Sequence, residues 1–141
     1  MFSFRTTPLE EQLDRALREG SVGCFCTQNC WDTEKRRYMY DIFRERGNLA
    51  RIFSPRDTEL TPATNHIEFS AEDLAGLDAV VVEIQDVGTR YFNYTSDVFR
   101  LMLAMKEMEN APSLYIVDHI NPAGRVVEGT MPSAAGRSIP K

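Results

Sequence analysis

The stretch AVVVEIQDVGTRYFNY, Ala79–Tyr94, carries the reading of the fold. Ala79 to Ile84 is an apolar, valine-rich run of the kind found where a strand is buried on both faces of a parallel sheet. The run stops at Gln85-Asp86-Val87-Gly88, and a crowd of hydrogen-bonding side chains follows: Thr89, Arg90, Tyr91, Asn93 and Tyr94. So much polar and aromatic equipment directly after a buried strand is either a rich surface turn or one wall of a binding site.

The neighbouring segments alternate in type. Thr7-Pro8-Leu9-Glu10 has the chemistry of a helix start, with a threonine cap, proline at the first helical position and a T-x-x-E box. Leu9, Leu13, Ala16 and Leu17 share one face of that helix, which Gly20 ends. Val22 to Cys26 reads as a strand. Asp32 or Thr33 is placed to cap a second helix, in which Tyr38, Met39, Ile42 and Phe43 recur at helical spacing before Gly47. Leu49 to Phe53 is a second strand, broken by Ser54-Pro55, and residues 56–65 form a loop. His66 to Phe69 reads as a short strand, and Ser70 to Asp73 as a capping box opening a brief helix with Leu74 and Leu77. A long helix is expected over 93–109, with Val98, Leu101, Met102, Met105 and Met108 inward, and Ser113 to Val117 is the last strand.

Strands alternating with helices imply one α/β domain over residues 1–141: an open, mainly parallel, Rossmann-like sheet with helices on both faces, a three-layer α/β/α arrangement. Right-handed crossovers bring every strand's carboxyl end to one edge, where open α/β sheets bind ligands. Four polar loops meet there: Thr27-Gln28-Asn29, residues 54–57, residues 85–94 and Asp118 to Asn121.

Composition narrows the chemistry. The 141 residues are 43% hydrophobic and 26% charged, ordinary for a globular domain, and the net charge of −5 lacks the basic footprint of a nucleic-acid binder. No apolar run reaches membrane-spanning length. The N-terminus MFSFRTTPLEEQ lacks the long apolar segment of a signal peptide, which sets the expectation of a cytoplasmic protein or of a form without its targeting segment. Cys24, Cys26 and Cys30 have a C-x-C-x3-C spacing that matches no standard zinc pattern, and they read as small apolar residues of a strand and its loop. No metal or other cofactor is expected.

The first strand–helix turn, TQNCWD, has no glycine for a pyrophosphate to approach, and no G-x-x-x-x-G-K-[ST] occurs. G-x-S-x-G is absent too, and the two histidines are His66 and His119. Carboxylates are placed better. Glu83, Asp86 and Asp118 lie at the ends of two strands, and Asp57 and Glu59 follow another. Strand alternation puts Glu83 and Gln85 on one face, Ile84 and Asp86 on the other. A carboxylate pair across a cleft suits glycoside hydrolysis. Aspartates at strand ends equally cap turns or hold an arginine such as Arg90.

Taken in order, IQDVGTRYFNY, VDHINPAG and VVEGTMP, with LDAVVVEIQDVG and IFSP before them, resemble the DUF1343 family of exo-β-N-acetylmuramidases. The resemblance runs from about Gly20 to Lys141. It implies a Rossmann-type domain followed by a smaller second domain, with the active cleft between them. It also implies removal of N-acetylmuramic acid from the non-reducing end of peptidoglycan fragments, without nucleotide or metal. By the same resemblance Arg90 anchors the lactyl carboxylate and Tyr91 and Tyr94 lie against the sugar. Gln28, Asn29, Asp118, His119, Asn121 and Glu128 join the binding set, and relatives are exported.

Two departures shape these expectations. Where the family reads S-P-E-H-G, this chain has Ser54-Pro55-Arg56-Asp57-Thr58, so an arginine stands at the place of the favoured catalytic glutamate. Catalysis then falls to Asp57, Asp86 or Glu83; the alternative is a non-catalytic pseudoenzyme that binds a cell-wall sugar or a partner. Family members also continue into a further domain where this sequence stops at Lys141, so the expectation is a trimmed or fragmentary form or a natural short relative, with self-association or a separate second domain.

Overall fold

The computed structural model describes residues 11, 13–27, 30–53, 67, 69–88, 94–124, 126 and 129. Four strands form one sheet: β1 (Val22–Cys26), β2 (Leu49–Phe53), β3 (Ala79–Glu83) and β4 (Ser113–Val117), in the spatial order β2-β1-β3-β4. Every pairing is parallel, and Cys26, Glu83 and Val117 stand side by side at the carboxyl edge. The connections run through helices α1 (Met39–Arg46), α2 (Ala71–Leu74) and α3 (Tyr94–Lys106). This is the open, Rossmann-like α/β fold expected from the alternation of segments.

The sheet divides the core in two. On one face, Val22, Cys24, Ala79 and Val81 meet Leu13, Ala16 and Leu17 and the α1 residues Met39, Ile42 and Phe43. On the other, Phe25, Phe53, Val80 and Val82 meet Leu74 of α2 and Leu101 of α3. Strand periodicity sends Val80 and Val82 one way and Ala79 and Val81 the other, so β3 is buried throughout, as is β1. The edge strands β2 and β4 are partly exposed.

Several local expectations are corrected. The second helix is not capped by Asp32 or Thr33. Asp32 closes its own turn, its Oδ1 accepting from the backbone N–H groups of Glu34 and Lys35 at 3.0 and 2.9 Å. It also pairs with Arg37 across an isolated antiparallel bridge. Helix α1 begins at Met39, where the Asp41 carboxylate accepts from the Tyr38 N–H at 2.9 Å, and ends at Gly47 in the left-handed conformation. Of the expected N-terminal helix, Glu11 is helical and Ala16–Arg18 form a 3-10 turn, with Leu13, Ala16 and Leu17 buried as expected. Leu9 lies outside the described residues.

Neither Ile67 nor Phe69 is in a strand, and His66 and Glu68 of that expected strand lie outside the described residues. Ile67 and Phe69 pack against the second core cluster instead, and the Ile67 N–H is taken by the buried Asp97 carboxylate at 3.3 Å. The Ser70–Asp73 box is present, with reciprocal bonds of 3.1 Å. Helix α3 turns Val98, Leu101 and Met105 inward, and Met108, past the helix end at Lys106, packs on the same core, but Met102 is 48% exposed. Residue 102 stands about 100° around the helix from Leu101, beyond the buried stripe.

Candidate functional site

The strand order reverses between β1 and β3: one connection leaves β1 toward β2, and the next returns past β1 to β3. In open α/β sheets the crevice over such a reversal is where ligands bind. The loops leaving β1, β3 and β4 all rise at this point.

The β1 and β3 ends are tied by side chains. Thr27 is buried, its hydroxyl lies 3.3 Å from the Cys30 sulfur, and the Cys30 thiol donates to the Glu83 carbonyl at 3.0 Å. Burial raises the Cys30 pKa, so this thiol is a structural donor and not a nucleophile. Glu83 is 5% exposed, on the α1 side of the sheet opposite Ile84, as alternation required. Its Oε1 lies 3.1 Å from His119 Nε2, whereas Oε2 is buried with no hydrogen-bond partner. Desolvation pushes the Glu83 carboxyl above its ordinary range. His119 opposes that shift, and the negative charge of Asp32 adds to it.

The loops after β3 and β4 interlock. Asp86 Oδ1 accepts from the Gly88 N–H at 2.7 Å, closing a tight turn. Gln85 Nε2 donates to the Asp86 carbonyl at 3.0 Å and across to the Ile120 carbonyl at 3.4 Å. Gly88 has φ +73°, and a Cβ there would stand 2.7 Å from both terminal side-chain atoms of Asn121 and 2.8 Å from the Ala123 Cβ. Asn121 holds its own turn, its Oδ1 accepting from the Ala123 N–H at 2.9 Å. The QDVG and NPAG motifs are thus two halves of one contact, and glycine is what the close approach requires.

Of the residues picked from sequence, Glu83, Asp86, His119 and Asn121 come together here. Asp118 is exposed in the same loop, and Tyr94 opens α3 half-buried. Gln28, Asn29, Asp57, Arg90, Tyr91 and Glu128 lie outside the described residues, as does Arg56. Asp86 and Asn121 carry a turn-holding task as well as any ligand task.

Sequence reasoning missed an aromatic group beside the β1 loop. Trp31, 42% exposed, meets Tyr38 edge-on, with ring centres 4.8 Å apart. Tyr38 stacks on Tyr40 at 5.0 Å, and the Arg44 guanidinium lies 5.0 Å over the Tyr40 ring. The available signal was position: Trp31 is the chain's single tryptophan and sits in TQNCWD, a loop at the ligand edge. Among the described residues, no cluster of three or more His, Cys, Asp or Glu side chains is arranged to hold a metal ion. No described helix is long and apolar enough to cross a membrane.

A parallel sheet whose strand order reverses between β1 and β3 defines a Rossmann-like α/β domain. The chain belongs to the family described as exo-β-N-acetylmuramidase NamZ, N-terminal, whose profile matches residues 63–139. That span includes both interlocked loops. Two solved DUF1343-family proteins from Bacteroides fragilis NCTC 9343 are similar in structure. The first has a TM-score of 0.65 at 24% identity, over 81% of this chain and 34% of that one. The second has a TM-score of 0.58 at 25% identity, over 81% of this chain and 33% of that one. The chain therefore spans about a third of the length of each of these relatives. No curated protein matches.

Proposed function

We propose that this chain is the sugar-binding α/β domain of an exo-β-N-acetylmuramidase-like glycoside hydrolase, acting on terminal N-acetylmuramic acid of peptidoglycan fragments. The observation that carries the reading is the interlocked QDVG–NPAG pair over the strand reversal, with the buried Glu83 carboxyl beside it. N-acetylmuramic acid bears a lactyl carboxylate, for which Arg90 is the natural partner through a charge-assisted hydrogen bond. Tyr91 and Tyr94 supply a flat face and hydroxyl donors for the ring. Asp118, Asn121, Gln28, Asn29 and Glu128 complete the polar lining, and Asp57, Asp86 and Glu83 are the carboxylates from which hydrolysis draws its acid and its base or nucleophile. The sugar is held against a second domain or a second copy of the chain.

A second reading is a pseudoenzyme that binds the sugar without turnover. It is favoured by Arg56, since a guanidinium neither gives nor takes a proton at neutral pH. The test is hydrolysis of an aryl β-N-acetylmuramide by the folded chain. Aryl release abolished by Asp57→Asn or Asp86→Asn supports the enzyme. Binding of N-acetylmuramic acid without release supports the pseudoenzyme, and neither binding nor release defeats both.

A further inference from the structure

We propose that His119 is the group that exchanges a proton with the substrate at this edge, and that Glu83 is the buried carboxylate that positions it. The step rests on the glycosidase reading above.

The geometry separates the two roles. The Glu83 side chain is 7% exposed, and its Oε2 has neither solvent contact nor a partner. Its other oxygen is engaged 3.1 Å from His119 Nε2. A sugar oxygen outside therefore has no path to either carboxyl oxygen. The imidazole has one: its side chain is 34% exposed, and with Nε2 held by Glu83, Nδ1 is the nitrogen left for the substrate. A carboxylate behind a histidine fixes ring orientation and stabilises the charged form that proton transfer creates.

The neighbours suit that task. Glu83 pairs with Cys26 across the sheet and feels the charges of Asp32 and of His119 in the loop after β4, while it raises the Cys24, Cys26 and Cys30 thiols in turn. All three thiols are pushed upward by burial and stay neutral, and in that group it is His119 that hydrogen-bonds the Glu83 carboxyl. The Cys30 thiol holds the Glu83 carbonyl from below, which fixes the backbone that carries the carboxylate.

In the step itself, protonated His119 gives its Nδ1 proton to the glycosidic oxygen as the bond from that oxygen to the anomeric carbon breaks. The bonding electrons go to the leaving oxygen. Water then adds to the anomeric carbon and returns one proton to Nδ1. The dyad ends as it began, and one water has been consumed per bond broken. His119 is thus the catalytic residue, and Glu83, a candidate catalytic carboxylate on sequence grounds, is a positioning residue.

The experiment compares two aryl β-N-acetylmuramides on the full chain, one with a phenyl and one with a 2,4-dinitrophenyl leaving group. The second leaves without needing a proton. His119→Ala, melting as the wild type does, is expected to lose about a hundredfold or more in kcat on the phenyl substrate and little on the dinitrophenyl one. Added imidazole restores part of the phenyl rate. Glu83→Gln is expected to lower kcat on the phenyl substrate with KM unchanged. An equal loss on both substrates, or no loss on either, overturns the dyad while leaving the muramidase reading in place. Silence of the wild type on both substrates defeats the reading, and the dyad's catalytic step with it.

Discussion

Gly88→Ala tests the link between the two motifs directly. The residue has φ +73°, where an L side chain is strained by about 1–2 kcal/mol. Its new Cβ would also lie 2.7 Å from Asn121 and 2.8 Å from the Ala123 Cβ. Both neighbours belong to a turn closed by the Asn121 side chain and by the Gly124 N–H donating to the Asn121 carbonyl at 3.1 Å, so they give way only if that loop shifts. Overpacking of this kind costs about 1–3 kcal/mol. The two contributions together predict a loss of about 2–5 kcal/mol, which is a fall in Tm of roughly 6–15 °C for a domain of this size. Gly47→Ala is the matched control. Gly47 has nearly the same φ, +78°, but nothing lies within 4 Å of the added methyl. It should lose only the backbone contribution, roughly 3–6 °C. Thermal melts of both variants, repeated as urea titrations, isolate the contact by difference. A Gly88→Ala protein no less stable than Gly47→Ala would refute the interlock.

Trp31 is the chain's single tryptophan and stands exposed against Tyr38, so titration with N-acetylmuramic acid should change its fluorescence; an unchanged spectrum under saturating sugar would place the ligand away from the β1 loop. Glu83 titrates above its ordinary value of 4.5 in the fold, so its contribution to stability is full below that pH and is lost as pH rises through the raised value. Glu83→Gln, which has no charge to bury, should gain stability relative to wild type between pH 4.5 and neutrality, and denaturant curves showing the same difference at pH 4 and pH 7 would contradict this. Burial pushes the Cys26 thiol up to about 12 and Cys24 higher still. Iodoacetamide at pH 8 should therefore leave both unmodified in the native protein and label them on unfolding; mass spectrometry showing rapid native labelling would mean that β1 opens readily.

Long, strongly periodic segments were legible because local chemistry and burial agree in them. Ala79–Glu83 is apolar at every pleat but its last, and it lies between two cores; the Ser70–Asp73 box declares its helix through hydrogen bonds within four residues. Where competing bonds were available, the local signal misled. Asp32 has capping chemistry, but its carboxylate closes a nearer turn, so α1 waits for Asp41 to reach back to the Tyr38 N–H. Ile67 and Phe69 have strand chemistry, but neither is part of a strand; both pack on the second core cluster, where Phe69 meets Phe25 and Phe53.

The sequence alone determined the order of elements, the parallel sheet and the edge at which the polar loops gather, because periodicity and chain direction are local properties. Only the tertiary structure decided which residues meet there. Glu83 and His119 are 36 positions apart, and their pairing exists because β3 and β4 are adjacent and in register. The Gly88–Asn121 contact likewise depends on loops brought together by the fold. A buried carboxyl with an unsatisfied oxygen is a property of its surroundings, since desolvation is set by what the rest of the chain packs around it.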